Sequence, residues 1–318
     1  MYLPDFLKKG DLIGITACSN GILEKEERYN KSVAHFKEKG FQIIETDDVR
    51  KAGCAPKEIR ARELMELYTN NQVKLIAVAS GGDFLSDMLP LIDFETMKNN
   101  PKWLVGSSDP TSLLFTMTTK YDIATIYTPC NMSGFNKEKL HPCLETYFDV
   151  IMGKCSKQEK YDLCEYPSFS DEFSKEDIWE NLNGDVNEEG MLIGGCIECL
   201  KDIIGTPVDH VSAFVEKYKG LIWYFDIFNM TSEGVYNTLN QFKFAGWFNY
   251  CKAILFGRVA FPNTFVDKTY QELIKQALPD TKIIFNFDLG HVAPAFTLIN
   301  GAQVHIVSNE KEHYLEYK

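Results

Sequence analysis

The chain has 318 residues, 45% of them hydrophobic and 25% charged, with a net charge of −12 at pH 7. That length allows one large or two medium domains with ample core. The acidity excludes nucleic acid or an anionic membrane as the main partner, because neither would be attracted.

The first residues, Met1-Tyr2-Leu3-Pro4-Asp5-Phe6-Leu7-Lys8-Lys9, lack the basic, apolar and small-residue order of a signal peptide. No apolar run approaches the ~20 residues of a membrane span. Nine scattered cysteines, an odd number, read as free thiols of a reducing cytoplasm rather than as a disulfide framework. A cytoplasmic protein is therefore expected.

Lys9-Gly10-Asp11 leads into a buried strand over Leu12 to Ala17, and Ser19-Asn20-Gly21 is a turn. Glu24 to Lys39 carries Tyr29, Val33 and Phe36 at helical spacing and is stopped by Gly40; Phe41 to Glu45 is a second strand. The opening is thus β-α-β, the mark of a parallel sheet. The first turn lacks the three spaced glycines of a dinucleotide fingerprint, so no nicotinamide cofactor is expected.

Pro56 to Asn70 reads as a helix and Lys74 to Ala79 as a third strand, ending in Ser80-Gly81-Gly82-Asp83. Paired glycines between a strand and a helix (Phe84 to about Leu89) let backbone N–H groups approach a ligand, although a plain tight turn uses Gly-Gly in the same way. Trp103-Leu104-Val105 is the fourth strand. It turns through Gly106-Ser107-Ser108 into a helix from Thr111 to Thr119, with Pro110 near the first helical position. Such a corner exposes its side chain and aims the helix's free N–H groups at whatever that side chain attacks, as a serine nucleophile requires. A serine-rich capping turn would have the same sequence. Ile123 to Tyr127 is a fifth strand.

From Leu140 to about Glu188 the apolar runs shorten and charges crowd, with one helix near Leu144 to Met152. The expected division is an N-terminal domain over 1–150, a linker or excursion over 151–188, and a C-terminal α/β domain over 189–318. Order resumes at Gly190 to Gly195, followed by a helix from Cys196 to Ile204. Its Cys196-Ile197-Glu198-Cys199 has no second pair, so it reads as two helix-borne thiols rather than a zinc site, and no metal is expected. Leu221 to Phe225 is a strongly β-prone run ending at Asp226, and Ser232-Glu233 cap a helix from about Gly234 to Phe244. Ala253 to Arg258 is another strand. Tyr270 to Ala277 is helix, and Lys282 to Asn286 is a strand that breaks at Phe287-Asp288-Leu289-Gly290-His291. Phe296 to Ile299 and Gln303 to Val307 read as a hairpin about Asn300-Gly301. The fold class is α/β.

Ser108, Asp226 and His291 each stand where a strand stops, and α/β ligand sites gather at the carboxyl ends of strands. A nucleophile, a base and a carboxylate that fixes the base's tautomer are the parts of an acyl-transfer triad. The other histidines compete poorly: His35 lies mid-helix, His141 and His210 in surface-like segments, His305 in a strand and His313 in the tail.

Lys9-Gly10-Asp11-Leu12-Ile13-Gly14-Ile15, Ser80-Gly81-Gly82, Gly106-Ser107-Ser108-Asp109, Leu192-Ile193-Gly194-Gly195, Phe244-Ala245-Gly246-Trp247-Phe248 and Asp288-Leu289-Gly290-His291 follow in that order. Together they resemble the serine LD-carboxypeptidase family, which includes the microcin C self-immunity peptidases, over nearly the whole chain. The resemblance implies an N-terminal Rossmann-like parallel-sheet layer, a C-terminal α/β domain, no metal and no cofactor. It places the nucleophile at Ser108, the general base at His291 and backbone oxyanion donors near Gly82 and Asp83 and at Asp109. Counting back from Ala245-Gly246-Trp247-Phe248 puts the triad carboxylate at Asp226, where the family usually has Glu. Cys18 stands where Pro is common, and Cys196 where Asn is common in the immunity branch.

The function implied is a serine carboxypeptidase that cleaves an amide next to a C-terminal D-amino acid in cell-wall-derived peptides. Two other readings stay open: an immunity-type hydrolase of peptide or aminoacyl-nucleotide conjugates, and a non-catalytic binding relative that Asp226 would suggest. A substrate carboxylate needs a cation. Arg258 is the candidate, with a surface salt bridge as its other reading. The expected partners are a small peptide or peptide-conjugate substrate and a second copy of the chain in a homodimer.

Overall fold

A computed structural model describes residues 1–22, 25–51 and 53–318. The chain forms two compact units, Met1–Cys155 and Ser156–Lys318.

The first unit runs β1 (Leu12–Thr16), α1 (Glu26–Glu38), β2 (Gln42–Glu45), α2 (Lys57–Thr69), β3 (Val73–Val78), α3 (Phe94–Asn99), β4 (Trp103–Gly106), α4 (Thr111–Tyr121), β5 (Thr125–Tyr127) and α5 (Pro142–Ile151). The strands lie in the order β5-β4-β3-β1-β2 and every pairing among them is parallel. Near-continuous apolar runs such as Leu75-Ile76-Ala77-Val78 and Trp103-Leu104-Val105 are buried, as a sheet covered on both faces demands. Helix α1 buries Tyr29, Val33 and Phe36, and Phe36 packs edge-on against Phe135 and Phe148 at 5.1 and 4.8 Å. The expected first helical residue, Glu24, lies outside the described residues. The strand order reverses between β1 and β3, so their carboxyl-end loops flank the crevice where such sheets bind ligands.

The second unit contains β6 (Lys157–Glu159), β7 (Leu163–Glu165), β8 (Phe173–Glu176), β9 (Glu180–Asn181), β10 (Val186–Cys196), α6 (Ile197–Lys201), α7 (Val211–Tyr218), β11 (Leu221–Asp226), α8 (Ser232–Phe244), β12 (Cys251–Gly257), α9 (Tyr270–Ala277), β13 (Lys282–Phe287), β14 (Leu298–Asn300), β15 (Gln303–Ser308) and β16 (His313–Tyr317). Its main sheet has the order β6-β16-β15-β10-β11-β12-β13-β9. The central four, β10 to β13, are parallel neighbours, which sets the carboxyl ends of β11, β12 and β13 side by side.

Several expectations change. Within 151–188, the stretch expected as a linker or excursion, β6 pairs with β16 and β9 with β13 at the two edges of the second sheet, and β7 pairs with β8. Edge strands need only one apolar face and one partner, which is why they lack apolar runs. The hairpin about Asn300-Gly301 is also replaced. β15 pairs with β10 and β16, and buried Asn300 accepts through Oδ1 from the Gly194 N–H (3.0 Å) and the Tyr224 hydroxyl (2.9 Å). Cys196 ends β10 rather than starting a helix. After the Gly81-Gly82 turn comes a 3₁₀ segment, Leu85–Leu91, containing Pro90. The cap of α8 is Thr231, whose Oγ1 accepts the Gly234 N–H at 3.2 Å, in place of Ser232-Glu233.

Candidate active site

The corner after β4 carries Ser108. Its φ is +67°, in the left-handed region that side chains rarely enter. Such a conformation costs about 1 kcal/mol or more and persists only where surroundings impose it. Here they do. The Ser107 N–H donates to Asn131 Oδ1 at 3.0 Å, while Asn131 Nδ2 returns a bond of 3.0 Å to the Ser107 carbonyl. The Ser108 N–H donates to Tyr127 Oη at 3.1 Å, and the Ser108 carbonyl accepts the Thr111 N–H at 2.9 Å, opening α4.

The Gly81-Gly82 turn lies directly against this corner. A Cβ on Gly81 would stand 3.2 Å from Ser108 Cβ and 3.4 Å from its Oγ. A Cβ on Gly82 would stand 2.4 Å from Ser19 Oγ and 2.8 Å from Asn20 Nδ2. Both glycines therefore serve close backbone approach. Buried Asp109 joins the three loops: its Oδ2 accepts from the Ser19 hydroxyl at 2.5 Å and from the Leu85 N–H at 3.0 Å. Burial pushes its carboxyl up, against the pull of those two bonds. Asp109 was expected to act through its N–H; its side chain adds a loop-fastening role.

At the carboxyl end of β11, Asp226 is fully buried, and His291 follows β13. His291 Nδ1 lies 2.8 Å from Asp226 Oδ2, and the His291 backbone N–H donates to Oδ1 at 3.2 Å. The ring contact is thus at ion-pair distance, with a carboxylate that also holds the His291 backbone. Burial works against the imidazolium, but the charge of Asp226, its contact with the ring and the charge of Glu198 outweigh it, and the imidazole is held above its ordinary range. The Phe228 ring covers the imidazole at 4.6 Å.

Arg258 is placed otherwise than expected. It is 7% exposed, and Nη1 contacts Asp177 Oδ1 at 2.7 Å and Asp288 Oδ1 at 2.8 Å. Nη2 donates to the carbonyls of Val292 (3.2 Å) and Pro294. Asp288 Oδ2 in turn accepts from the Tyr161 N–H (3.2 Å) and Trp179 Nε1 (3.3 Å). Burial pushes the Asp288 carboxyl well above the usual range, against the pull of Arg258. This is neither a substrate-facing cation nor a surface salt bridge. It is a buried network that fastens the loop bearing His291.

A family model described as the LD-carboxypeptidase N-terminal domain matches residues 13–128, and one described as the LD-carboxypeptidase C-terminal domain matches residues 189–306. The chain belongs to the LD-carboxypeptidase family. Microcin C7 self-immunity protein MccF of Escherichia coli is 25% identical to it over 331 residues, covering 96% of this chain and 93% of that one. Solved structures share the fold: an MccF-like protein from Bacillus anthracis at a TM-score of 0.86 and 23% identity, over 100% of this chain and 99% of that one. A muramoyltetrapeptide carboxypeptidase from Oxalobacter formigenes follows at 0.76 and 20%, over 96% and 98%. LD-carboxypeptidase membership thus rests on matches in both halves of the chain.

Within this member of the family, four other histidines have local partners. His35 Nε2 meets the Lys137 carbonyl at 2.7 Å, His141 caps α5 through the Cys143 N–H, His305 pairs with Asn187 and His313 with Ser308. No group of three or more His, Cys, Asp or Glu that could hold a metal occurs among the described residues. Sequence reasoning missed Ser19, Tyr127 and Asn131, which brace the Ser108 corner, and Glu198, which accepts the N–H groups of Phe228, Asn229 and Met230. Ser19-Asn20 registered only as a turn and Tyr127 only as a strand end. Nothing in the sequence around Asn131 pairs it with Ser107, 24 residues earlier.

Proposed function

We propose that this LD-carboxypeptidase family member is a serine hydrolase that cleaves an amide next to a C-terminal D-amino acid in cell-wall-derived peptides. Ser108 is the nucleophile, His291 the general base and Asp226 its orienting carboxylate. The observation that carries this reading is the approach of His291 Nδ1 to buried Asp226 at 2.8 Å.

With Nδ1 turned to Asp226, Nε2 is the nitrogen that takes the Ser108 proton. The serine oxygen attacks the scissile carbonyl, and His291 then returns the proton to the leaving amine. Water repeats the sequence on the acyl-enzyme and releases the peptide acid. The Ser108 N–H is engaged by Tyr127 Oη, which leaves the N–H of Asp109 and those of the Gly82-Asp83 turn as donors for the oxyanion. Asp226 keeps the imidazole in the productive tautomer and stabilises the imidazolium. The setting we propose is cytoplasmic, which nine scattered cysteines support, and the proposed assembly is a homodimer.

A fluorophosphonate probe tests the chemistry: stoichiometric labelling that is lost in Ser108→Ala supports the reading, and absence of labelling refutes it. A second reading, hydrolysis of an aminoacyl-nucleotide conjugate, gains weight because Arg258 is neutralised by Asp177 and Asp288 and leaves a substrate carboxylate without its expected cation. A panel of a muropeptide tetrapeptide, an aminoacyl-sulfamoyl-adenylate and an isoaspartyl dipeptide separates the two.

A further inference from the structure

We propose that Glu198 is a positioning residue for His291: it fastens the loop that follows Asp226, from which the Phe228 ring packs on the imidazole, and its charge acts on that ring. This rests on the reading of His291 as general base.

Glu198 sits in the first turn of α6, beyond the carboxyl end of β10, which pairs with β11. Its Oε1 accepts three consecutive backbone N–H groups, those of Phe228 (2.9 Å), Asn229 (3.0 Å) and Met230 (3.0 Å). Successive N–H groups converging on one oxygen form a concave anion site, here filled by the chain's own carboxylate. Its Oε2 accepts from the Cys196 thiol at 3.1 Å. From the other side, the Met230 carbonyl accepts the Tyr270 hydroxyl at 2.7 Å. The segment after Asp226 is thereby fixed at both its N–H and its C=O groups.

Two consequences reach His291. Phe228, whose N–H is held by Glu198, lays its ring on the imidazole at 4.6 Å and 47°. The Glu198 charge also favours the imidazolium. Asp226 from β11 lies at ion-pair distance from the ring, the apolar Phe228 packs on it, and the Glu198 charge acts on it from α6; the Arg258 network touches the His291 loop through carbonyls and carries its own counter-charges. A carboxylate that merely filled a turn would change neither the titration of His291 nor turnover.

The test uses the full chain as wild type, Glu198→Gln and Glu198→Ala. The His291 ring is followed by NMR on histidine-labelled protein, assigned with His291→Gln, beside pH profiles of kcat and KM on whichever panel substrate is turned over. Gln keeps an oxygen for the three N–H groups but loses the charge. Glu198→Gln is expected to lower the His291 midpoint by about half a pH unit and to move the acid limb of kcat/KM down equally. Glu198→Ala is expected to lose about tenfold or more in kcat, with KM changed less than about threefold, because the base is misplaced rather than the substrate released. An unmoved His291 midpoint in Glu198→Gln, or an unchanged kcat in Glu198→Ala, overturns the proposal. If Glu198→Ala does not fold, the Gln variant decides. The titration needs no turnover, so failure of the base assignment would show separately, as activity surviving in His291→Gln.

Discussion

Asp226 occupies the space that a side chain at Gly290 would need. A Cβ there would stand 2.1 Å from Asp226 Oδ1 and 2.5 Å from its Cγ, and Gly290 has a φ of +90°. The shorter Asp meets the imidazole because the backbone before His291 runs flush against the carboxylate. Gly290→Ala is therefore expected to lower Tm, through a steric clash and a strained φ together. It should also cut kcat by ~100-fold, because even a 1 Å displacement of a catalytic group has that effect. Thermal melts and steady-state kinetics check both.

Asp226 should tolerate neither of its nearest substitutes. Asp226→Asn is expected to lose activity mainly in kcat, by up to ~10⁴, since an amide can hold the wrong imidazole tautomer. Asp226→Glu lengthens the carboxylate arm, yet Oδ1 already crowds Gly290, so the added methylene should lower both Tm and kcat. A rate for Asp226→Glu at or above wild type would show that the pocket has room for Glu.

Ser108 offers a separation of stability from turnover. Ser108→Ala is expected to lose ~10⁴-fold or more in turnover with Tm nearly unchanged. Ser108→Gly should be equally inactive but more stable by up to about 1 kcal/mol, because glycine adopts a φ of +67° without penalty. Denaturant titration of both variants measures the difference.

The raised imidazole of His291 sets the direction of the pH dependence. A base must be neutral, so kcat/KM should fall on the acid side with an apparent pKa above the ordinary histidine value of 6.5. For stability the sign is the same as for any histidine whose folded value lies above its unfolded one. The Asp226 contact contributes fully below the unfolded value and is lost as pH rises through the folded one. Wild type should therefore lose stability relative to His291→Gln as pH climbs past that midpoint, read as the difference in denaturation midpoints between pH 5.5 and 8.5, a span of ~3 pH units about the ordinary histidine value.

Arg258 separates a fastening role from a substrate role. Arg258→Met strands two buried carboxylates and is expected to cost about 3–5 kcal/mol of stability. A variant that folds normally and shows only a raised KM would restore Arg258 to the substrate.

The sequence by itself determined the parallel α/β layout, the strand-to-helix corner at Ser108 and the placing of Asp226 and His291 at strand ends. These follow from local signals: apolar runs of strand length, helical spacing, and glycines or prolines at turns. It also held the ordered motifs through which the family is legible. Only the tertiary structure decided what each polar group does. Arg258 ends a strand like a substrate-binding cation, but two carboxylates distant in sequence, Asp177 and Asp288, converge on it. Asn300-Gly301 has the composition of an exposed hairpin turn, yet Asn300 is buried because Gly194 and Tyr224 require an acceptor there. Glu198 stands in the sequence only as a residue between Cys196 and Cys199, and its part is set once the Phe228–Met230 loop turns three N–H groups onto it. Local sequence dictates backbone preference, but a buried hydrogen bond or ion pair joins residues far apart in the chain, and its partner exists only once the chain has folded.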